Sequence, residues 1–191
     1  MTRQELSTPG ALRARALDAA RILLEERGAE GLHLRVLAER IGSGVASLYY
    51  HFADKDALLA ALAIHGWGEL TGKIERAIGS DKAPSPIDAA SAALLAFIRR
   101  HPQLYGLMQR SHAAPEVRLA ERKTFALFRS ALDGDPRAPS ERTEEIAMVF
   151  WVLGRGIASA VQTEPDPADA ERLIDQVLSG FAFLLSPRLE G

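Results

Sequence analysis

The stretch HLRVLAERIGSGVASLYYHFADK, residues 33–55, holds two short helical patterns split by a glycine-rich break. Leu34, Leu37, Ala38 and Ile41 fall at i, i+3, i+4 and i+7, which is one buried helical face. Gly42-Ser43-Gly44 then ends the pattern, because glycine accepts the backbone angles that close a helix and turn the chain. A second helix follows from about Val45 to Phe52, with Val45, Leu48 and Phe52 inward. At about 100° per residue, Tyr50 points outward beside Ala46 and Ser47, while Tyr49 and His51 lie on the two edges. Either Gly44 or Ser43 caps this helix. The layout is that of a helix-turn-helix, whose second helix enters the DNA major groove.

The outward residues are unusual for a solvated face, which normally carries Lys, Glu and Gln. Small Ala46 lets a backbone approach base edges. The hydroxyl of Ser47 and the ring nitrogens of His51 suit phosphates or bases, and tyrosine rings pack on sugars and thymine methyls. Tyr49 has a competing role as a half-buried cover of a small core.

These residues carry a family resemblance. Leu37-Ala38, Gly42, then LYYHFADKDALL from Leu48 to Leu59, resemble the DNA-binding domain of the tetracycline-repressor (TetR) family of bacterial regulators. The aromatic run ending in Phe52, with Lys55 three residues on, is the specific part. The resemblance implies DNA contacts from Ser47, Tyr49, Tyr50 and His51, a further contact from Arg35, and a phosphate contact from Lys55. It implies an N-terminal three-helix DNA-binding domain over 1–54 and a C-terminal helical domain over 55–191 for ligand binding and dimerisation.

The chain has 191 residues, 47% of them hydrophobic, which is enough for a sizeable core. Its net charge of -2 gives no bulk signature of nucleic-acid binding. Within residues 1–60, Arg3, Arg13, Arg15, Arg35 and Lys55 are candidates for one local basic face, with Glu25, Glu26 and Glu30 at the far end of the first helix. There is no cysteine, so disulfides and thiolate chemistry are excluded. No apolar run approaches membrane-spanning length and no signal peptide is visible, so a soluble, cytoplasmic protein is expected.

Every strong periodicity is helical, giving an all-α chain of about nine helices. Thr8-Pro9 opens the first helix and Gly28 closes it, with Ala16, Ala20, Leu23 and Leu24 inward. Asp54 caps a fourth helix that runs to about Ile78. Its Gly66, Gly68 and Gly72 mark either a bend or a close helix contact. After a loop at Lys82-Ala83-Pro84, Ser85-Pro86 starts a fifth helix with Ile87, Ala90, Leu94, Phe97 and Ile98 inward. A short helix follows from Pro102 to Arg110, then one from Pro115 to about Leu132, then a loop at Asp133-Gly134-Asp135-Pro136.

The last two helices, about 141–163 and 167–185, are apolar on more than one side. In the first of them Ile146, Val149, Phe150, Leu153, Ile157, Ala160 and Val161 form one face, and Ala147, Trp151, Gly154 and Ala158 another. The second adds Leu173, Ile174, Val177, Leu178, Phe181, Leu184 and Leu185. Such helices suit a homodimer in which both pair with their symmetry mates; the other reading is a monomer core.

Beyond residue 60, HPQLYGLM at 101–108 and FWVLGRGIA at 150–158 resemble a subgroup of the family named for a Trp-His-Gly signature, with Arg155 where the subgroup has histidine. The family's C-terminal domain encloses a small-molecule pocket. Trp67, Tyr105, Met108, Trp151 and Arg155 are the pocket candidates, with Phe97, Phe125 and Phe128 as further large side chains and His65, His112 and Gln162 as further polar anchors. Core packing is the alternative for each aromatic residue. Arg155 must find a carboxylate, an interface or a ligand anion.

The five histidines show no metal-ligand spacing, and no nucleophile elbow or phosphate loop is present. The expectation is a regulator rather than an enzyme, with no cofactor and no metal. Its expected partners are double-stranded operator DNA, a second copy of itself and an unidentified small-molecule effector, with no membrane. Repression is the family's commoner mode; an activator and a helical interaction protein that has lost DNA binding are the alternatives.

Overall fold

The structure is a computed structural model that describes residues 9–80, 83–133, 135, 140–164 and 166–185. The Thr8 start signal, Arg3, Lys82, Gly134 and Pro136 lie outside the described residues. So do the side chains of Val161, Gln162, Leu178, Phe181, Leu184 and Leu185. Among the described residues the secondary structure is helical: α1 Pro9–Arg27, α2 Leu34–Ile41, α3 Val45–His51, α4 Lys55–Ile78, α5 Pro86–Arg100, α6 Pro102–Arg110, α7 Pro115–Ser130, α8 Thr143–Thr163 and α9 Pro167–Leu185. Short 3-10 turns at Ser111–Ala113 and Ser140–Arg142 join them. The start expected for α8 near residue 141 is therefore that 3-10 turn, and α7 stops two residues short of Leu132.

The helices gather into two compact units. The first holds the described residues to Glu69 together with Gln103–Arg122, and the second holds Leu70–Pro102 together with the described residues from Lys123.

In the first unit, α1 buries Ala16, Ala20, Leu23 and Leu24 completely, and Leu37, Leu48 and Phe52 meet them from α2, α3 and the residue that ends α3. Each buried leucine or phenylalanine contributes about 1.5–3 kcal/mol relative to exposure, which is what holds three helices this short. Val45 and Ile41 are only half-buried, less than the helical pattern suggests. The same unit packs α4 against α6. A Cβ on Gly66 would lie 2.7 Å from the Met108 sulfur and 3.2 Å from Leu104 Cδ1. Gly66 thus serves close helix contact, and α4 continues through it without interruption.

In the second unit, Ile87, Ala90, Leu94, Phe97 and Ile98 of α5 are buried as their spacing predicts. Ser85 caps α5, accepting the Asp88 N–H at 3.3 Å and donating its hydroxyl to the Asp88 carboxylate at 2.8 Å. On α8, Ala147, Trp151, Gly154 and Ala158 face the core, where Trp151 packs edge-on against Phe125 and Phe128. The other side of α8 leaves Met148, Val149 and Val152 exposed.

Candidate nucleic-acid interface

The turn between α2 and α3 is built from its backbone outward. Gly42 ends α2 with φ 63, in the left-handed region where a side chain is strained. Its N–H reaches Glu39 O at 3.3 Å and the Ser43 N–H reaches Ala38 O at 3.0 Å, the paired bonds of a Schellman closure. Gly44 is the residue that caps α3, without a side-chain bond, so the choice between Gly44 and Ser43 falls to Gly44. Arg15 adds a bond from α1, its guanidinium donating to the Ile41 carbonyl at 2.9 Å. That carbonyl ends α2, where a cation is favoured.

This frame fixes the orientation of α3. Leu48 is fully buried and Phe52 nearly so, with the Arg13 guanidinium 5.6 Å from the Phe52 ring centre. The opposite side carries Ala46, Ser47, Tyr49 and Tyr50, all exposed, with Tyr50 at 82% and Tyr49 at 55%. His51 is half-buried and stands edge-on to both Tyr50 and Phe52. Tyr49, for which a core role competes, therefore lies on the outer side of α3.

Three cations around α3, Arg35, Arg40 and Lys55, are paired with carboxylates. Arg35 Nε lies 3.5 Å from Glu39, one turn along α2. Arg40 forms a two-pronged bond with Glu26 at 2.8 and 2.9 Å; this bond holds the Glu26 carboxyl below its ordinary pKa. Lys55 begins α4, as expected, with its ammonium 3.3 Å from the Glu30 carbonyl and 3.9 Å from the Glu30 carboxylate. Asp54 caps α4, accepting the Ala57 N–H at 2.7 Å. Of the basic face expected from the sequence, Arg35 and Lys55 are thus ion-paired, and a phosphate would have to compete with Glu39 or Glu30 for these two cations. Arg13 and Arg15 are engaged with Phe52 and Ile41.

The pocket candidates fall into two groups. Trp67, Tyr105 and Met108 are fully buried together in the first unit, with the Trp67 and Tyr105 ring centres 6.0 Å apart. Trp151 and Arg155 belong to the second unit, where Trp151 is buried and Arg155 half-buried. Phe97, Phe125 and Phe128 belong to that unit too. His65 lies 3.9 Å from Asp18, and His112 bonds the buried Glu121 carboxylate. Sequence reasoning missed Gln109, one turn after Tyr105, whose amide nitrogen and oxygen are buried with no hydrogen-bond partner among the described residues. Nothing in its spacing separates it from a solvated glutamine.

Among the described residues no helix is long and apolar enough to cross a membrane, and no group of three or more potential metal ligands occurs.

Comparison with known proteins supplies the family. Residues 16–62 match the model of bacterial regulatory proteins of the tetR family, and residues 87–181 match a tetracyclin repressor-like C-terminal domain. The class A tetracycline repressor from transposon 1721 of Escherichia coli is 56% identical over 47 residues, 25% of this chain and 22% of that protein. An HTH-type transcriptional regulator of Mycobacterium bovis is 25% identical over 146 residues, 71% of this chain and 62% of that protein. The chain therefore spans less than two thirds of the length of these curated relatives. A TetR-family transcriptional regulator from Pectobacterium atrosepticum shares the fold, with a TM-score of 0.71 at 19% identity, covering 100% of this chain and 99% of that one. With its helix-turn-helix and its C-terminal domain both matched in this way, the chain belongs to the tetR family of bacterial regulatory proteins.

Proposed function

We propose that the chain is a ligand-responsive transcriptional repressor, which binds near-palindromic operator DNA as a homodimer and leaves it when a small-molecule effector binds. The observation that carries this reading is the outward stance of Tyr50, 82% exposed on a helix anchored from behind by Leu48 and Phe52. Ser47, Tyr49, Tyr50 and His51 are the recognition-helix contacts, and Arg35 and Lys55 the cations that exchange a carboxylate for DNA. Residues 1–54 act as the DNA-binding domain and 55–191 as the effector and dimerisation domain.

The dimer forms through α8 and α9. Supporting this, Met148, Val149 and Val152 are exposed on α8. Beside them runs an apolar groove of about 240 Å³ lined by Leu153, Ile157 and Ala160 of α8 and Leu173, Ile174 and Val177 of α9. In such a dimer the two recognition helices must meet major grooves about 34 Å apart, or a multiple of this. An effector that binds better at another spacing draws the population off DNA. Trp67, Tyr105 and Met108 are the candidate effector contacts of the first unit taken by itself, and Trp151 and Arg155 those of the second taken by itself. Helices α4 and α7 relay the change. The protein works by binding rather than catalysis, in the cytoplasm, and needs no cofactor.

The test is selection of bound fragments from the source genome, then titration of the winning fragment at two salt concentrations. A short near-palindrome bound more weakly at high salt is the expected result. A folded dimer that enriches nothing, in a preparation shown by mass spectrometry to carry no small molecule, refutes the reading in favour of a helical interaction protein. The carboxylate partners of Arg35 and Lys55 are the observation on that side.

A further inference from the structure

The exposed side of α3 lacks long polar side chains. Within VASLYYH, Val45–His51, there is no Arg, Lys, Asn, Gln, Asp or Glu. Those residue types make the two-point or donor-specific bonds that identify guanine, adenine and cytosine in the major groove. In their place α3 presents the methyl group of Ala46, the hydroxyl of Ser47, and the rings of Tyr49 and Tyr50 with their phenolic hydroxyls. A hydroxyl both donates and accepts, so Ser47, Tyr49 and Tyr50 discriminate weakly among bases through theirs. Apolar contact discriminates better, because thymine alone carries a methyl group on its major-groove edge.

The placement of these groups adds to the chemistry. Ala46 is the second residue of α3, at the end of a recognition helix that meets base edges. Tyr50 is one turn further on, so the methyl and the ring lie on one line along the helix. The Tyr50 ring stands edge-on to His51, with centres 5.3 Å apart, as an apolar surface projecting from the protein. Both arginines of α2 in the same motif are paired, Arg35 with Glu39 and Arg40 with Glu26.

We infer that the chain reads its DNA chiefly through thymine 5-methyl groups packed on Ala46 and Tyr50, rather than through hydrogen bonds to guanine or adenine edges. This rests on the DNA-binding reading above and adds the base chemistry. Each half-site then contains at least one thymine facing the outer side of α3, and any guanine reading falls to Arg35.

The experiment uses the full-length protein and the best duplex selected from a random pool. That duplex is resynthesised with deoxyuridine replacing thymine at one position at a time, symmetrically in both half-sites, which removes only methyl groups. Burial of one methyl-sized group corresponds to roughly a fourfold change in affinity, so a symmetric pair should weaken binding about fifteenfold. Replacing the same thymine by cytosine should also weaken binding, and 5-methylcytosine should restore part of the loss. In Ala46→Gly the deoxyuridine penalty should vanish at one position, and in Tyr50→Ala at a neighbouring one, with helicity unchanged. Unchanged affinity with deoxyuridine at every thymine overturns the inference, and 7-deazapurines, which lack the N7 acceptor, then show which purines are read instead. A pool that yields no enriched sequence refutes the DNA-binding reading itself, so the two failures are distinct.

Discussion

The Glu25 carboxylate accepts the backbone N–H of Leu104 at 3.0 Å, and that of Gln103 at 3.2 Å. A side chain near the end of α1 thereby supplies the acceptor that the first turn of α6 needs, and its charge suits a helix N-terminus. Glu25→Ala leaves two part-buried donors without this acceptor and should cost about 1–3 kcal/mol in urea unfolding at neutral pH. The pH dependence has a definite sign. Burial raises the Glu25 pKa above its ordinary 4.5, against the lowering pull of the two N–H groups and of Arg21. The folded state therefore binds this proton more readily than the unfolded chain. The contribution is fully present below the ordinary value and is lost as pH rises through the folded value. Compared with Glu25→Gln, the wild-type chain should gain stability as pH falls from neutral to roughly 5. A constant difference between the two would show that this carboxyl does not titrate differently on folding.

Tyr50→Ala should weaken specific DNA binding by about 1–3 kcal/mol without loss of helicity, because an exposed ring carries little of the core. Lys55→Ala should weaken binding to all sequences about equally and lower the salt slope by about one. Anisotropy titrations over a salt series measure both. Lys55 also holds Glu30, so thermal unfolding of the same variant separates a lost phosphate contact from a loosened α4 start.

The glycines of α4 should respond in opposite ways. A Cβ on Gly68 meets nothing within 4 Å, so Gly68→Ala should stabilise by about 0.5–1 kcal/mol through backbone entropy. A Cβ on Gly66 meets the fully buried Met108, and overpacking of about 1–3 kcal/mol should exceed the helical gain. Thermal melts of the two variants side by side test this contrast.

Val149 and Val152 are 52% and 58% exposed on α8. Val152→Glu should raise the dimer dissociation constant by more than about tenfold, since a symmetric interface buries the new charge twice. Sedimentation should shift towards the monomer with the helical signal intact. An unchanged mass would place the dimer contact elsewhere.

Local pattern made the helix-turn-helix legible. The spacing of Leu37, Leu48 and Phe52 identifies one apolar face on each element, and on a seven-residue helix that face leaves Tyr50 no direction but outward. Gly42 and Ser85 announce a helix stop and a helix start through their own backbone and hydroxyl chemistry. The C-terminal half was less legible because α8 is apolar nearly all round. Periodicity there could not separate the side that buries Ala147 and Trp151 from the side that exposes Val149 and Val152.

The sequence by itself determined the order of the helices, the Gly42 stop, the Ser85 cap and the outward face of α3, because each follows from residues within a turn or two of one another. Only the tertiary structure decided the partners of charged and polar groups far apart in the chain. Arg15 closes α2, Arg40 meets Glu26 and Glu25 meets Leu104, while the Gln109 amide is buried without a partner among the described residues. Long polar side chains have many rotamers and reach several angstroms, so their partners depend on which helix packs beside them. Helical spacing carries no information about that choice.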